Sequence, residues 1–461
     1  MTLGRQLATW SAGLRFEDLP AQLVADCRLR LLDTLGVALA AVPLPIGVAA
    51  RKAGHALGGG DEATILGEGA RSTAANAALV NGTLAHAMDF DDTHNASVMH
   101  PSAPTVAAAL AAAEAAKAGG RELIVAIAIG NEIGCRLGLV SPGAFHGVGL
   151  HPTSVLGAPA ATASVGRLWR LSEAQIAASF GISASQASGV LEAYSDGTWS
   201  KTLHPGWAAH AAIVAGRLAQ AGFTGPATAF EGRYGIYSAL LPKGTKLDLD
   251  AATGGLGREW TCLDTAFKLF PCAHAIHAFI EGALQLRAAH GLTAAGIASV
   301  ELAVPEEFVG QIAEPREAKL APRTSTHARA SLFYAVAAAL VDGEVTAAHY
   351  EGDAFRRPEI LAMAQRIRAR IVPTGDTIMF SGGVSIRPVA GATVETFVAE
   401  ADGTGSRLLD EARVVGKFAA TAGSVLSPAT RDRLVEMVLA LDRIEDVRVL
   451  AAATAIEGIS R

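Results

Sequence analysis

Residues 86–102 read HAMDFDDTHNASVMHPS, which sets His86, Asp89, Asp91, Asp92, His94 and His100 in one short stretch. Two chemistries use such a set. Imidazoles and carboxylates one helical turn apart can ligate a divalent metal. His86 and Asp89 have that spacing, and Asp92 or His94 would complete a site. A metal-free acid/base centre uses the same groups to move protons. Histidine changes charge near neutral pH without help, and an aspartate beside it orients the ring and raises its basicity. A third role, for Asp91 and Asp92, is to cap the next turn. No second acidic cluster completes a two-metal site, so the acid/base reading is preferred.

Four further stretches place polar groups in apolar, small-residue sequence. They are HGVGLHPTS with His146 and His151, GTWSKTLHPGWAAHAA with Lys201, His204 and His210, KLFPCAHAIHA with Lys268, His274 and His277, and THARASLFYAVA with His327, Arg329 and Tyr334. His-Pro recurs at 100–101, 151–152 and 204–205. Proline pushes the preceding residue out of the helical region, so each histidine is expected in extended backbone just before a helix. Helix N-termini attract anions. Three such starts with two lysines nearby suit a cavity for carboxylates, since lysine supplies a point charge. His210, His55, His290 and His349 read as structural.

These residues need a scaffold, and the composition describes one. The 461 residues are 50% hydrophobic and 18% charged, with 49 glycines and few aromatics. Alanine runs such as 106–116 and 335–340 favour helices packed closely at small residues. The pattern of apolar helix and short glycine-rich break begins with 19–42 and continues to about residue 245. Near 265 the texture changes. Residues 299–304, 368–373, 383–388 and 392–400 read as strands, with helices at 331–343 and 358–367 between them. After 405 the chain is helical again. The expected fold is mainly α: a large helical domain, 1–265 and 402–461, with a smaller α+β lid domain, 266–401, inserted in it. Clefts between domains are favoured ligand sites.

The net charge of −6 gives no basic footprint for nucleic acid. The four cysteines, Cys27, Cys135, Cys262 and Cys272, form no CxxC pair and read as reduced thiols. No signal segment or membrane span is apparent, so a soluble cytoplasmic protein is expected.

Taken together the motifs resemble the MmgE/PrpD family. The matching pieces are LVNGTLAHAMDFDDTH (79–94), HPSAPTVAAAL (100–110), GNEIGCRLG (130–138), HPTSVLGAPAATASVGRL (151–168), SKTLHPGWAAHA (200–211), GFTGPATAFEGRYGIYSAL (222–240) and KLFPCAHAIHA (268–278). They follow the family order across most of the chain. The family embraces 2-methylcitrate dehydratases, cis-aconitate decarboxylases and iminodisuccinate epimerases. The resemblance implies a homodimer and chemistry on small polycarboxylates without metal or organic cofactor, by loss of water or CO2 or by epimerisation. It places Asp89, Thr93, His100, His151 and Lys201 at the site, with Lys268, His277 and Tyr334 facing it from the lid. At the last imidazole position His274 and His277 are alternatives. On this reading His100 or His151 moves the proton alpha to a carboxylate, Asp89 orients it or acts as partner acid, and the lysines hold carboxylates. Thr93 and Tyr334 hydrogen-bond the substrate. His86 and His94, which carry the metal reading, are the less expected participants. The rival readings are a metal-dependent hydrolase on His86, Asp89, Asp92 and His94, and a non-catalytic helical binding protein.

Overall fold

The computed structural model describes residues 1–375 and 378–459. Its buried apolar side chains gather into two large clusters. One draws on residues from Leu3 to Phe267 and again from Leu409 to Leu450. The other runs from Cys272 to Ile386. The protein is mainly α-helical.

At the heart of the first cluster are helices that are apolar almost all round and therefore buried almost all round. In Ser102–Ala116 every residue from Ser102 to Glu114 is buried, and Gly120–Leu139 is buried almost throughout. Small side chains let these helices approach closely. The helices Ala74–His86 and Ser200–Gln220 meet at Gly82 and Gly206. A Cβ on Gly82 would stand 2.7 Å from the Gly206 Cα, and one on Gly206 would collide with the Leu79 carbonyl oxygen. This contact brings the end of one helix, at His86, to the start of the other, at Lys201.

The second cluster packs helices against a four-stranded mixed sheet. The strand order is Ile367–Val372, Ile297–Pro305, Gly382–Pro388, Val394–Val398. The first pair is parallel and the other two are antiparallel. All four strands fall where period-2 alternation predicted them, and the helices Leu332–Asp342 and Pro358–Ala364 lie between them as expected. The helix His277–His290 packs on the strands Gly382–Pro388 and Val394–Val398. The helix Glu411–Ala422 returns to the first cluster and packs on Ala21–Ala41.

One local expectation fails. His151 stands in extended backbone ahead of a short helix starting at Pro152, as the His-Pro rule requires. His204 does not: the helix begins at Ser200, so Pro205 lies inside it. A proline there removes one backbone hydrogen bond. The close seat of Gly206 against the neighbouring helix holds the turn in helical form regardless. The four cysteines are free and buried. Among the described residues no single helix is long and apolar enough to cross a membrane.

Candidate active site

The loop after the helix Ala74–His86 forms the floor. Asp89 has φ of 50°, in the left-handed region that aspartate tolerates better than most residues. The turn exposes three successive backbone carbonyls, and each accepts from a buried cation brought from far along the chain. Arg329 Nη1 donates to Met88 O at 2.9 Å, Lys268 Nζ to Asp89 O at 2.9 Å and Lys417 Nζ to Phe90 O at 2.9 Å. Arg329 also donates to Pro271 O at 2.7 Å, and Lys417 is paired with Asp33 at 2.7 Å. A two-residue ladder, Thr93–His94 against Thr265–Ala266, ties the same loop to the segment leading to Lys268.

The Asp89 carboxylate is clamped between two lysines. Lys201 Nζ is 3.2 Å from Oδ2, and Lys268 Nζ donates to Oδ1. Burial pushes the Asp89 carboxyl up, but the lysines outweigh it and hold it well below the usual carboxylate range. Lys201 also lies 3.0 Å from His86 Nε2. His86 Nδ1 in turn lies 2.8 and 2.9 Å from the two Asp91 oxygens.

His100 is fixed by chemistry on one side only. Its Nδ1 is 2.6 Å from the Asp92 carbonyl oxygen and 3.1 Å from Thr93 Oγ1. A carbonyl oxygen only accepts, so Nδ1 carries the hydrogen and Nε2 keeps its lone pair. Burial holds the ring's pKa well below its ordinary value, although Asp91 opposes the shift, so His100 is neutral near pH 7. His151 is wholly buried. Its Nδ1 faces His204 Nδ1 at 3.0 Å, and its Nε2 has no partner among the described residues. Ring centroids separate His86 from His100 by 4.8 Å and His100 from His151 by 5.8 Å.

Several of these groups border a small cavity of about 30 Å³ whose wall includes Asp89, Thr93, His100, His146, Lys201 and His274. That is room for one or two waters. Tyr194, Phe308, Gln311 and Phe380 also line it. Gln311 Nε2 donates to Tyr194 Oη at 2.6 Å, joining the two halves of the wall. Beyond them lies a cavity of about 740 Å³ that shares Val98, His146, Tyr194, Phe308 and Gln311. His274 is buried, both its ring nitrogens lack partners among the described residues, and burial lowers its pKa to about 3. His277 packs behind it, with tilted rings whose centroids are 4.8 Å apart, and is not among the residues lining the cavity.

The structure therefore gathers Asp89, Thr93, His100, Lys201, Lys268 and His274, with His151 one layer behind. Tyr334 is not among them. Its hydroxyl donates to His349 O at 2.6 Å and Ala354 O at 3.2 Å, inside the second apolar cluster. Its apolar helix buries it there, and Tyr194 supplies the hydroxyl at the cavity. His86, the less expected participant, does not line the cavity but stands against Lys201 and Asp91. Tyr194, Phe308, Gln311 and Phe380 carry no motif in sequence, since a bulky residue near a cavity is indistinguishable from a core residue. His146 was visible only as part of a polar stretch.

The quartet His86, Asp89, Asp92 and His94 does not converge. Asp92 accepts from Ser102 N at 3.2 Å and from Ser102 Oγ at 2.5 Å, so it caps the following helix. Burial raises its pKa to about 6 despite Arg30. His94 is turned to Ser97 at 2.7 Å. Two other sets, His86 with His100 and His151, and His86 with Asp89 and Asp91, do bring ligand atoms within 4.8 Å of one another. Lys201 and Lys268 already stand against His86 and Asp89 with positive charge, which disfavours a dication there.

The MmgE/PrpD N-terminal domain matches residues 5–248 and the MmgE/PrpD C-terminal domain matches residues 270–443. The chain belongs to the MmgE/PrpD family. It is 25% identical to a cis-aconitate decarboxylase of Aspergillus terreus, over 96% of this chain and 94% of that protein. It is 26% identical to the cis-aconitate decarboxylase of Mus musculus, over 95% and 90%, and 26% identical to that of Homo sapiens, over 97% and 94%.

Proposed function

We propose that this chain is a cofactor-independent lyase acting on a small polycarboxylate of the cis-aconitate kind. The observation that carries this reading is His100: its Nδ1–H is committed to a backbone carbonyl, and its bare Nε2 belongs to a wall shared with Lys201 and Asp89. Lys201 and Lys268 hold carboxylates as point charges. A bound polyanion stabilises imidazolium, so His100 takes up a proton as substrate arrives. In decarboxylation the electron pair of the C–CO2 bond forms a new alkene. The old alkene takes the His100 proton at the carbon alpha to a second carboxylate, and solvent later replaces it. The relatives' names favour this outcome over loss of water or epimerisation, which begin from the same groups. Thr93 and His274 hydrogen-bond the acid, and His151 supports His100.

The cavity of about 30 Å³ is too small for a six-carbon acid, so on this reading Phe308, Gln311 and Phe380 part from Tyr194 to admit it. The exposed Trp199, Leu203 and Trp207 along one helix are the face on which we place homodimer contact.

Incubation with cis-aconitate, 2-methylcitrate and citrate in deuterated water, followed by NMR, tests the reading. Release of CO2 with deuterium in the product supports it, and His100→Ala should abolish that release. Turnover that disappears on chelation and returns with added metal sinks the cofactor-independent mechanism.

A further inference from the structure

We propose that His86, held by Asp91, is the positioning residue for Lys201: a neutral imidazole that accepts one ammonium hydrogen and thereby aims another into the cavity. This rests on Lys201 being a carboxylate-binding group.

His86 closes the helix Ala74–His86 and is wholly buried. Of its two neighbours, Lys201 has only hydrogens to offer and the Asp91 carboxylate has only lone pairs. Nε2 therefore accepts from Lys201 at 3.0 Å, and Nδ1–H donates to Asp91. The tautomer follows from the partners. With Nε2 engaged and no place in the cavity wall, His86 is excluded as a group that touches substrate.

Lys201 needs such a partner. It lies in the first turn of the helix Ser200–Gln220, where the unpaired N–H groups make a cation unfavourable. Its side chain is 6% exposed. Of its three hydrogens, one goes to His86 and one to Asp89 Oδ2. The third has no protein acceptor among the described residues, and Lys201 borders the cavity with its Nζ 5.9 Å from the centre of the Tyr194 ring, so this hydrogen is free for a ligand on the proposed reading. The other titratable groups around His86 are Asp89, Lys268, His100, His151 and His204. None replaces Asp91 at Nδ1, and His100 stands 3.8 Å from the same carboxylate. The pair does for a lysine what an aspartate–histidine pair does for a nucleophile. The imidazole orients, and the carboxylate fixes its tautomer.

The test reads the tautomer and the binding separately. In the wild-type protein, 15N NMR should show His86 as the neutral Nδ1–H form from pH 6 to 8, and Asp91→Asn should weaken that preference. Calorimetry with tricarballylate as probe should show His86→Ala weakening binding about ten- to hundredfold, by loss of one charge-assisted contact. KM for cis-aconitate should rise with it more than kcat falls. Free imidazole should restore part of the affinity. An Nε2–H or protonated His86 in wild type overturns the proposal even if the enzyme turns over. Unchanged affinity in a folded His86→Ala overturns it as well. A correct tautomer in a protein that neither binds nor converts any polycarboxylate defeats the proposed function and leaves the His86–Lys201 geometry standing.

Discussion

The wall that carries Asp89 and the wall that carries His274 face one cavity, yet their polar groups are treated differently. On the first, Asp89 has two lysines, His86 has a lysine and an aspartate, and His100 has a carbonyl. On the second, both His274 nitrogens lack partners, and its ring neighbours are His277 and Phe380. A buried polar group without a partner costs free energy. The difference teaches that the first wall is organised by the protein's own residues, whereas the second leaves its imidazole unpaired among the described residues.

Asp89→Ala should break the first wall most severely, because it leaves Lys201 and Lys268 facing each other without their carboxylate. We expect a loss of about 3–5 kcal/mol in unfolding free energy, measured by denaturant titration. A loss below about 1 kcal/mol would mean the lysines find other partners and the wall is not pre-organised.

Acid should act next. Burial lowers the pKa of His86, His100, His151 and His274 in the folded state. Their stabilisation is fully present above the unfolded value of about 6.5 and is lost as pH falls below it. Each ring that stays neutral when folded costs up to about 1.4 kcal/mol per pH unit in that range. Thermal midpoints should therefore drop between pH 7 and 5, before the depressed carboxyls of Asp89 and Asp91 contribute below about pH 4. A midpoint unchanged from pH 7 to 5 would show that the rings protonate in place.

Tyr334→Phe removes one donor from two backbone carbonyls. It should cost about 1 kcal/mol by chemical denaturation and leave kcat and KM unchanged. A change in KM would return Tyr334 to the site.

His274→Leu should have the smallest effect on folding, within about 1 kcal/mol, since no protein hydrogen bond is lost. Turnover of cis-aconitate should still fall about tenfold or more. Severe destabilisation with normal turnover would reverse the contrast between the walls.

Much of this was legible in sequence where a local rule applies. Strand alternation from 299 to 400 and the alanine helices follow from burial on one face or on all faces. Asp89, His100, Lys201 and Lys268 stood out because charge interrupts small apolar sequence. The partner of His86 was not legible, because the lysine beside it lies 115 residues away. Tyr334 was misjudged because an apolar helix looks the same whether its tyrosine faces a cavity or a core. His204 was misplaced because the proline rule is local, and a glycine contact between helices overrode it.

By itself the sequence determined the main helical segments, the four strands of the mixed sheet and which polar groups interrupt apolar sequence, because periodicity and composition act over a few turns. Only the tertiary structure decided how those groups are shared. Three consecutive carbonyls of one left-handed turn receive Arg329, Lys268 and Lys417, and one carboxylate is held by two lysines 67 residues apart. Pairing of buried charge is settled by distance in space, on which spacing along the chain is silent.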